Sequence, residues 1–351
     1  MVTYLNRRRR PRKGHGTSNG CGRQSFGALD LGTNNCRLLV ATPAEVGGFR
    51  VTDAFSRIVR LGEGLARTGE LSEAAMTRTI EALRICADKM ERGCVVKTRN
   101  VATEACRQAR NCDEFIERAK AETGLNVETI TTAEEVRLVL RGCLPLLEDA
   151  RPHALIFDIG GGSTEVLWLS VENGDPEILG WVSMPHGVVT VSERFEAGTM
   201  SVADYQGVIE EMQSYLGPFC ARHNIAEAVA SGAVQMLGTS GTVTTLSGVK
   251  QKLPRYNRAA VDGTYLPFDA IERINARLRG MDCDGRAAHP CIGRERADLV
   301  VAGCALLEAI CHRWPVGQLR VADRGLREGI LCELMGVANE VRLGASVGAG
   351  P

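Results

Sequence analysis

ALDLGTNNCRLLV at residues 28–40 and IFDIGGGSTEVLW at residues 156–168 are two versions of one pattern. Laid together at an offset of 128 residues, Asp30 falls on Asp158, Leu31 on Ile159 and Gly32 on Gly160, and an apolar run resumes in register after each polar turn. Each segment reads as a strand, a glycine-containing turn and a second strand. A repeat one domain-length apart, in a chain of 351 residues, indicates two related α/β halves with a cleft between them.

Outward from the repeats, helical and extended spacings alternate. Ser72 precedes Met76, Ile80, Leu83, Ala87 and Met90 at helical spacing, and VVKTRNVAT reads as a strand. CDEFIERAKAETG reads as a helix ended by Gly124, and Thr131 and Thr132 lead into an apolar stripe of Val136, Val139, Leu140, Cys143, Leu144 and Leu147. Later come a helix near 201–217, a strand at AVASG (228–232), a loop at GTSGTV, helices near 268–279 and 295–313, a strand at QLRVA and a final helix. The expected organisation is a disordered basic extension over 1–24, a first domain over 25–136, a second over 137–327, a C-terminal helix near 328–341 packing back on the first domain, and a flexible tail over 342–351.

Composition excludes several classes. The 42 basic and 42 acidic residues balance only because Arg7, Arg8, Arg9, Arg10, Arg12, Lys13 and Arg23 crowd the first 25 positions; the remainder holds 35 basic against 42 acidic. A mildly acidic body argues against specific nucleic-acid binding. No apolar segment follows the basic run as a signal peptide requires, and the best apolar stretch, LVVAGCALLEAI, is cut by Glu308, so no membrane span is expected. Thirteen cysteines without a Cys-x-x-Cys pair fit neither a disulfide framework nor a zinc ribbon, and point to a reducing cytoplasm.

The chemistry-bearing residues cluster at the repeats. Each places an aspartate at the end of an apolar strand, just before a turn whose glycines let backbone N–H groups approach an anion. Gly160, Gly161, Gly162, Ser163 and Thr164 offer N–H and hydroxyl donors to a phosphate, and a neighbouring carboxylate offers a ligand for Mg²⁺. The alternative is two unrelated hairpins whose glycines supply positive φ. A third polar stretch, LGTSGTVTTLSG, ends a strand and begins a helix, where its N–H groups can meet a phosphate or a ribose. Glu135 has two readings: the helix-start partner in a Thr132-x-x-Glu135 capping box, or a general base at the cleft. Arg107 is a candidate phosphate clamp or a solvated surface charge.

ALDLGTNNCRLLVA, RLGEGLARTGELSEAAM, ATEACRQARN, TTAEEVRLVLRG, IFDIGGGSTEV, LGTSGTVTTL, RADLVVAGCALLEAI and ADRGLREGIL together closely resemble the exopolyphosphatase and guanosine pentaphosphate phosphohydrolase family, of the sugar kinase, heat-shock and actin superfamily, over residues 26–336. The resemblance implies two ribonuclease-H-like (actin-like ATPase) domains and Mg²⁺-dependent removal of a terminal phosphate by water. It makes Glu135 the base and Arg107 a phosphate contact. Asp158, Glu165 and Asp30 become the acidic support for Mg²⁺. Gly32, Thr33, Asn34 and Asn35 become one phosphate loop, Gly160 to Thr164 the other, and Ser240, Gly241 and Thr242 a third contact. The chain looks like the short form, without the longer members' extra helical domains.

The implied substrate is inorganic polyphosphate, with guanosine pentaphosphate, cleaved to the tetraphosphate, as the close competitor. A homodimer is a further expectation. A polyphosphate or nucleotide kinase of the same superfamily ranks below hydrolysis, since no acceptor-binding signature stands out, and a non-catalytic alarmone sensor ranks below that.

Overall fold

The computed structural model describes residues 24–337 apart from 46, 149, 173–175 and 196–198, together with the backbone of residues 3–4 and 342–343. The basic run from Arg7 to Lys13 and most of the expected C-terminal tail lie outside the described residues.

Two mixed sheets carry the chain. The first holds β1 (Thr3–Tyr4), β2 (Ser25–Leu31), β3 (Asn35–Pro43), β4 (Phe49–Ile58), β5 (Val95–Ala102) and β6 (Val127–Thr129), in the order β1-β4-β3-β2-β5-β6. The second holds β7 (His153–Ile159), β8 (Thr164–Ser170), β9 (Glu177–Met184), β10 (Val234–Thr239), β11 (Tyr265–Pro267), β12 (Gln318–Ala322) and β13 (Arg342–Leu343), in the order β11-β12-β10-β7-β8-β9-β13. In the first, β3 runs antiparallel to both β4 and β2, and β5 and β6 join parallel beyond β2. In the second, β9, β8 and β7 repeat that meander and β10 and β12 repeat the parallel pair. Matching order and sense make both halves ribonuclease-H-like α/β domains, as the sequence repeat required.

Strand parity explains why the repeated runs are apolar throughout. On β7, Leu155 and Phe157 enter the core on the outer face while Ala154 and Ile156 enter the central one. A strand buried on both faces reads as a continuous apolar run. The central core is shared by both sheets: Phe26, Ala28 and Leu39 from one and Ile156, Leu167 and Leu169 from the other close on the helices Thr132–Cys143 and Leu326–Leu334. By the same parity Asp30, Arg37, Asp158 and Glu165 lie on the central faces, at the ends of their strands.

The last helix packs against helix Thr132–Cys143 and β2, and it spans Leu326–Leu334 and not 328–341. Gly336, at φ 63°, adopts the left-handed conformation that stops a helix. The expected domain boundary at 136/137 falls inside the unbroken helix Thr132–Cys143. Residues 3–4, in the extension expected to be disordered, and 342–343, in the expected flexible tail, pair parallel with β4 and β9, because an open sheet edge offers unpaired N–H and C=O groups to any nearby chain. AVASG is not a strand: helix Ile225–Ala230 covers its start, and the buried strand is β10, which begins six residues later in the chain than supposed. Its Ile225 is buried in the core, and that packing outweighs the β-propensity of Val229. The helix expected over 295–313 begins only at Val300.

Candidate active site

The two repeated turns face each other across the cleft. Within each, the first glycine closes the loop in the same way: Gly32 N–H donates to Asn35 O and Gly160 N–H to Ser163 O, both at 2.9 Å. None of Gly32, Gly160, Gly161 or Gly162 has a positive φ, so left-handed geometry is not what selects them. Close approach is. A Cβ on Gly161 would stand 3.0 Å from Asn34 N, and one on Gly162 only 2.6 Å from Thr33 Oγ1. Behind the second turn, Val188 and Val189 donate to the carbonyls of Gly160 and Gly161 at 2.9 and 2.8 Å. Those bonds hold the carbonyls away from the cleft, and the N–H groups of Thr33, Asn34, Gly161 and Gly162 have no partner among the described residues.

These turns line a cavity of about 140 Å³ together with Asp30, Glu135, Asp158, Glu165, Ser240, Gly241 and Thr242. Asn34 Oδ1, Asn35 Oδ1 and Ser240 Oγ are buried there without a hydrogen-bond partner among the described residues, which marks a place for a polar ligand. Ser240 is also strained, at φ 97°, as it turns the chain from β10 into helix Gly241–Lys250. That conformation aims the helix N-terminus into the cavity, where its free N–H groups favour an anion.

The helix at Glu135 starts one residue earlier than a Thr132 cap implies. Thr131 is the cap, its hydroxyl accepting from Glu134 N, so Glu134 occupies the capping-box position and turns out to Arg99 at 2.5 Å. Glu135 is thereby released to the cleft, where its side chain is only 14% exposed. Burial, and then the charge of Glu165, push its carboxyl well above the usual range, opposed by Arg107, whose Nη1 donates to Glu135 Oε2 at 2.7 Å. Burial likewise raises Asp158 to about 6 and Glu165 to about 7, the latter despite hydrogen bonds from Ser163 and Ser183. Asp30 is raised by burial too, against the charge of Arg37.

Two expected site residues stand elsewhere. Thr164 does not line the cavity, since its hydroxyl donates to His186 O at 2.6 Å. Arg107 sits behind the cavity wall, its Nη1 on Glu135 and Ile130 O, its Nε and Nη2 on Glu104 at 3.0 and 2.7 Å. Five polar lining residues were not singled out from the sequence: Arg37, Thr103, Glu104, Thr245 and Arg296. Arg37 was within reach of it, because it stands opposite Asp30 in the β2–β3 register. Arg37 and Arg296 also line an adjoining cavity of about 320 Å³ with Arg324 and Arg327, alongside the carboxylates of Asp30, Asp158, Asp323 and Glu328.

Among the described residues no helix is long and apolar enough to cross a membrane, and no three His, Cys, Asp or Glu side chains converge as a ready-made metal cluster.

The chain is similar to known proteins over most of its length. Exopolyphosphatase 2 of Mycobacterium tuberculosis is 31% identical over 322 residues, covering 88% of this chain and 98% of its own. A guanosine-5'-triphosphate,3'-diphosphate pyrophosphatase of Photobacterium profundum is 27% identical over 88% of this chain, which spans 59% of that longer protein. The crystal structure of an exopolyphosphatase from Cytophaga hutchinsonii superposes with a TM-score of 0.79 at 26% identity, covering 90% of this chain and 99% of that one. The Ppx/GppA phosphatase family model matches residues 40–338, and the chain belongs to that family.

Proposed function

We propose that this protein is a phosphohydrolase that releases terminal orthophosphate from inorganic polyphosphate by in-line attack of water. The observation that carries the reading is the position of Glu135: a largely buried carboxylate, freed from its helix cap, beside two glycine turns whose N–H groups are unpaired. In this reading the turns and the helix at Ser240 grip the terminal phosphates, and Arg37 and Arg296 offset their charge. Glu135 accepts a proton from water as the water oxygen bonds to the terminal phosphorus, and the bridging oxygen leaves as the new chain end.

Asp158 and Glu165 fit Mg²⁺, since they are adjacent hard oxygen donors whose mutual repulsion a cation relieves, and Mg²⁺ uses few carboxylates and completes its shell with water and phosphate oxygens. When bound, it would neutralise charge developing on the phosphate oxygens. The fully buried thiols of Cys36, Cys86, Cys143 and Cys304 fit a reducing cytoplasm.

The test is orthophosphate release from long polyphosphate, short polyphosphate, guanosine pentaphosphate and ATP, with and without Mg²⁺, for the parent and Glu135→Gln. A loss of about 10²-fold or more is expected from the substitution. Release within about threefold of the parent would remove Glu135 from its role. Preference for guanosine pentaphosphate would reassign the substrate, and turnover only on addition of an acceptor would point to a kinase.

A further inference from the structure

We propose that Glu104 is a positioning residue of this site: through Arg107 it holds Glu135 in the orientation that serves the attacking water. The inference rests on the hydrolase reading above. Glu104 opens the five-residue helix Glu104–Gln108, and the i, i+3 spacing sets it beside Arg107, each side chain 16% exposed. All three guanidinium nitrogens of Arg107 are engaged inside the protein. Nε and Nη2 donate to the same oxygen, Glu104 Oε2, leaving Nη1 for Ile130 O and Glu135 Oε2. Gln108 donates to the other oxygen of Glu104. Gln108, Glu104, Arg107 and Glu135 thus form one hydrogen-bonded series that ends on the base.

Glu104 is otherwise out of place. It lines the cavity, and its stem lies 3.0 Å from where a Cβ on Gly162 would be, which sets a carboxylate beside a turn suited to phosphate. A carboxylate there repels a polyanion and weakens binding. A guanidinium anchored only at Nη1 would be free to swing from Glu135 to an incoming phosphate, because its planar fork suits either partner. Glu104 removes that freedom, trading substrate affinity for a fixed base.

The experiment compares the parent, Glu104→Gln, Arg107→Met and the double variant on whichever anhydride the parent cleaves. Glu104→Gln is expected to lower kcat at least tenfold with KM unchanged or lower. The double variant is expected to lie within about twofold of Arg107→Met, since residues acting in series are not additive. A kcat within twofold of the parent, a rise in KM alone, or multiplicative losses would overturn the proposal. Thermal melts identify any variant that fails to fold. A readout independent of turnover is the ¹⁵N–¹H signal of Arg107 Nε. It is expected to be protected from exchange in the parent and in Glu135→Gln, and lost in Glu104→Gln; protection that survives Glu104→Gln also overturns the proposal. A parent that cleaves no anhydride defeats the hydrolase reading instead, and the Nε signal still decides whether Glu104 holds Arg107.

Discussion

Asp158 and Glu165 stand directly opposite each other on β7 and β8, whereas the matching positions on β2 and β3 hold Asp30 and Arg37. The duplicated hairpin is therefore locally neutral in one domain and doubly acidic in the other. In the proposed function, this asymmetry would set the cation on the second domain's side of the cleft. It also stores unfavourable energy there, because both carboxyls are raised by burial.

Glu165 titrates near 7 in the folded protein and in the usual carboxylate range when unfolded. Between those values the folded state holds a proton that the unfolded state has released, so stability falls as pH rises across that window and stays lowered above it. Glu165→Gln removes the effect, worth on the order of 3 kcal/mol. The variant is expected to melt a few degrees above the parent at pH 8 in metal-free buffer, and level with it near pH 4, while losing activity. Parallel melting curves across pH would refute this.

Mg²⁺ is expected to raise the melting temperature of the parent more at pH 8 than at pH 5.5, because a ligand stabilises the state whose carboxylates are ionised to receive it. Asp158→Asn should abolish most of that gain. Equal gains in the parent and the variant would place the cation elsewhere.

Helices Thr132–Cys143 and Leu326–Leu334 touch backbone to backbone. A Cβ on Gly142 would meet Gly325 O at 2.0 Å, and one on Gly329 would meet Leu138 O at the same distance. Neither carbonyl can move without shifting its helix, so Gly142→Ala or Gly329→Ala is expected to destabilise by about 1–3 kcal/mol or more. Because the first helix carries Glu135, activity per folded molecule should fall as well. Chemical denaturation with a parallel activity assay reads both.

Gly162→Ala has a different expected signature. The added methyl would enter the space of Thr33 Oγ1 and Glu104 across the cleft, where the turns must admit a phosphate. Activity is expected to fall at least tenfold, with stability changed by less than about 1 kcal/mol. A large loss of stability would mean that the turn is packed as core.

Ser72→Ala serves as the contrast. Ser72 Oγ accepts from Ala75 N at 3.2 Å at the start of helix Glu73–Arg92, outside the cleft. Its loss should cost about 1 kcal/mol and leave kcat unchanged.

Much of the site was legible because it is written in short-range patterns. Asp30 and Asp158 are identifiable as the last polar residues of apolar strands before glycine turns, and period-2 parity carries Arg37 and Glu165 to the same faces. Glu135 was legible only as an alternative. Whether Thr131 or Thr132 caps the helix turns on one residue of register, and that residue decides whether Glu134 or Glu135 enters the cleft. AVASG was misread because a short apolar stretch has no period long enough to separate strand from helix.

The sequence alone determined that this protein has two matched α/β halves, each ending an apolar strand in an aspartate and a glycine turn, because repeats and strand parity are local properties of a chain. Only the tertiary structure decided that Arg107 turns to Glu104 and Glu135 and not into the cavity, and that Arg296 and Arg327 join Arg37 at the cleft. Those relationships span up to 290 positions, from Arg37 to Arg327, and depend on how two sheets close on a shared pair of helices, a distance that no local pattern encodes.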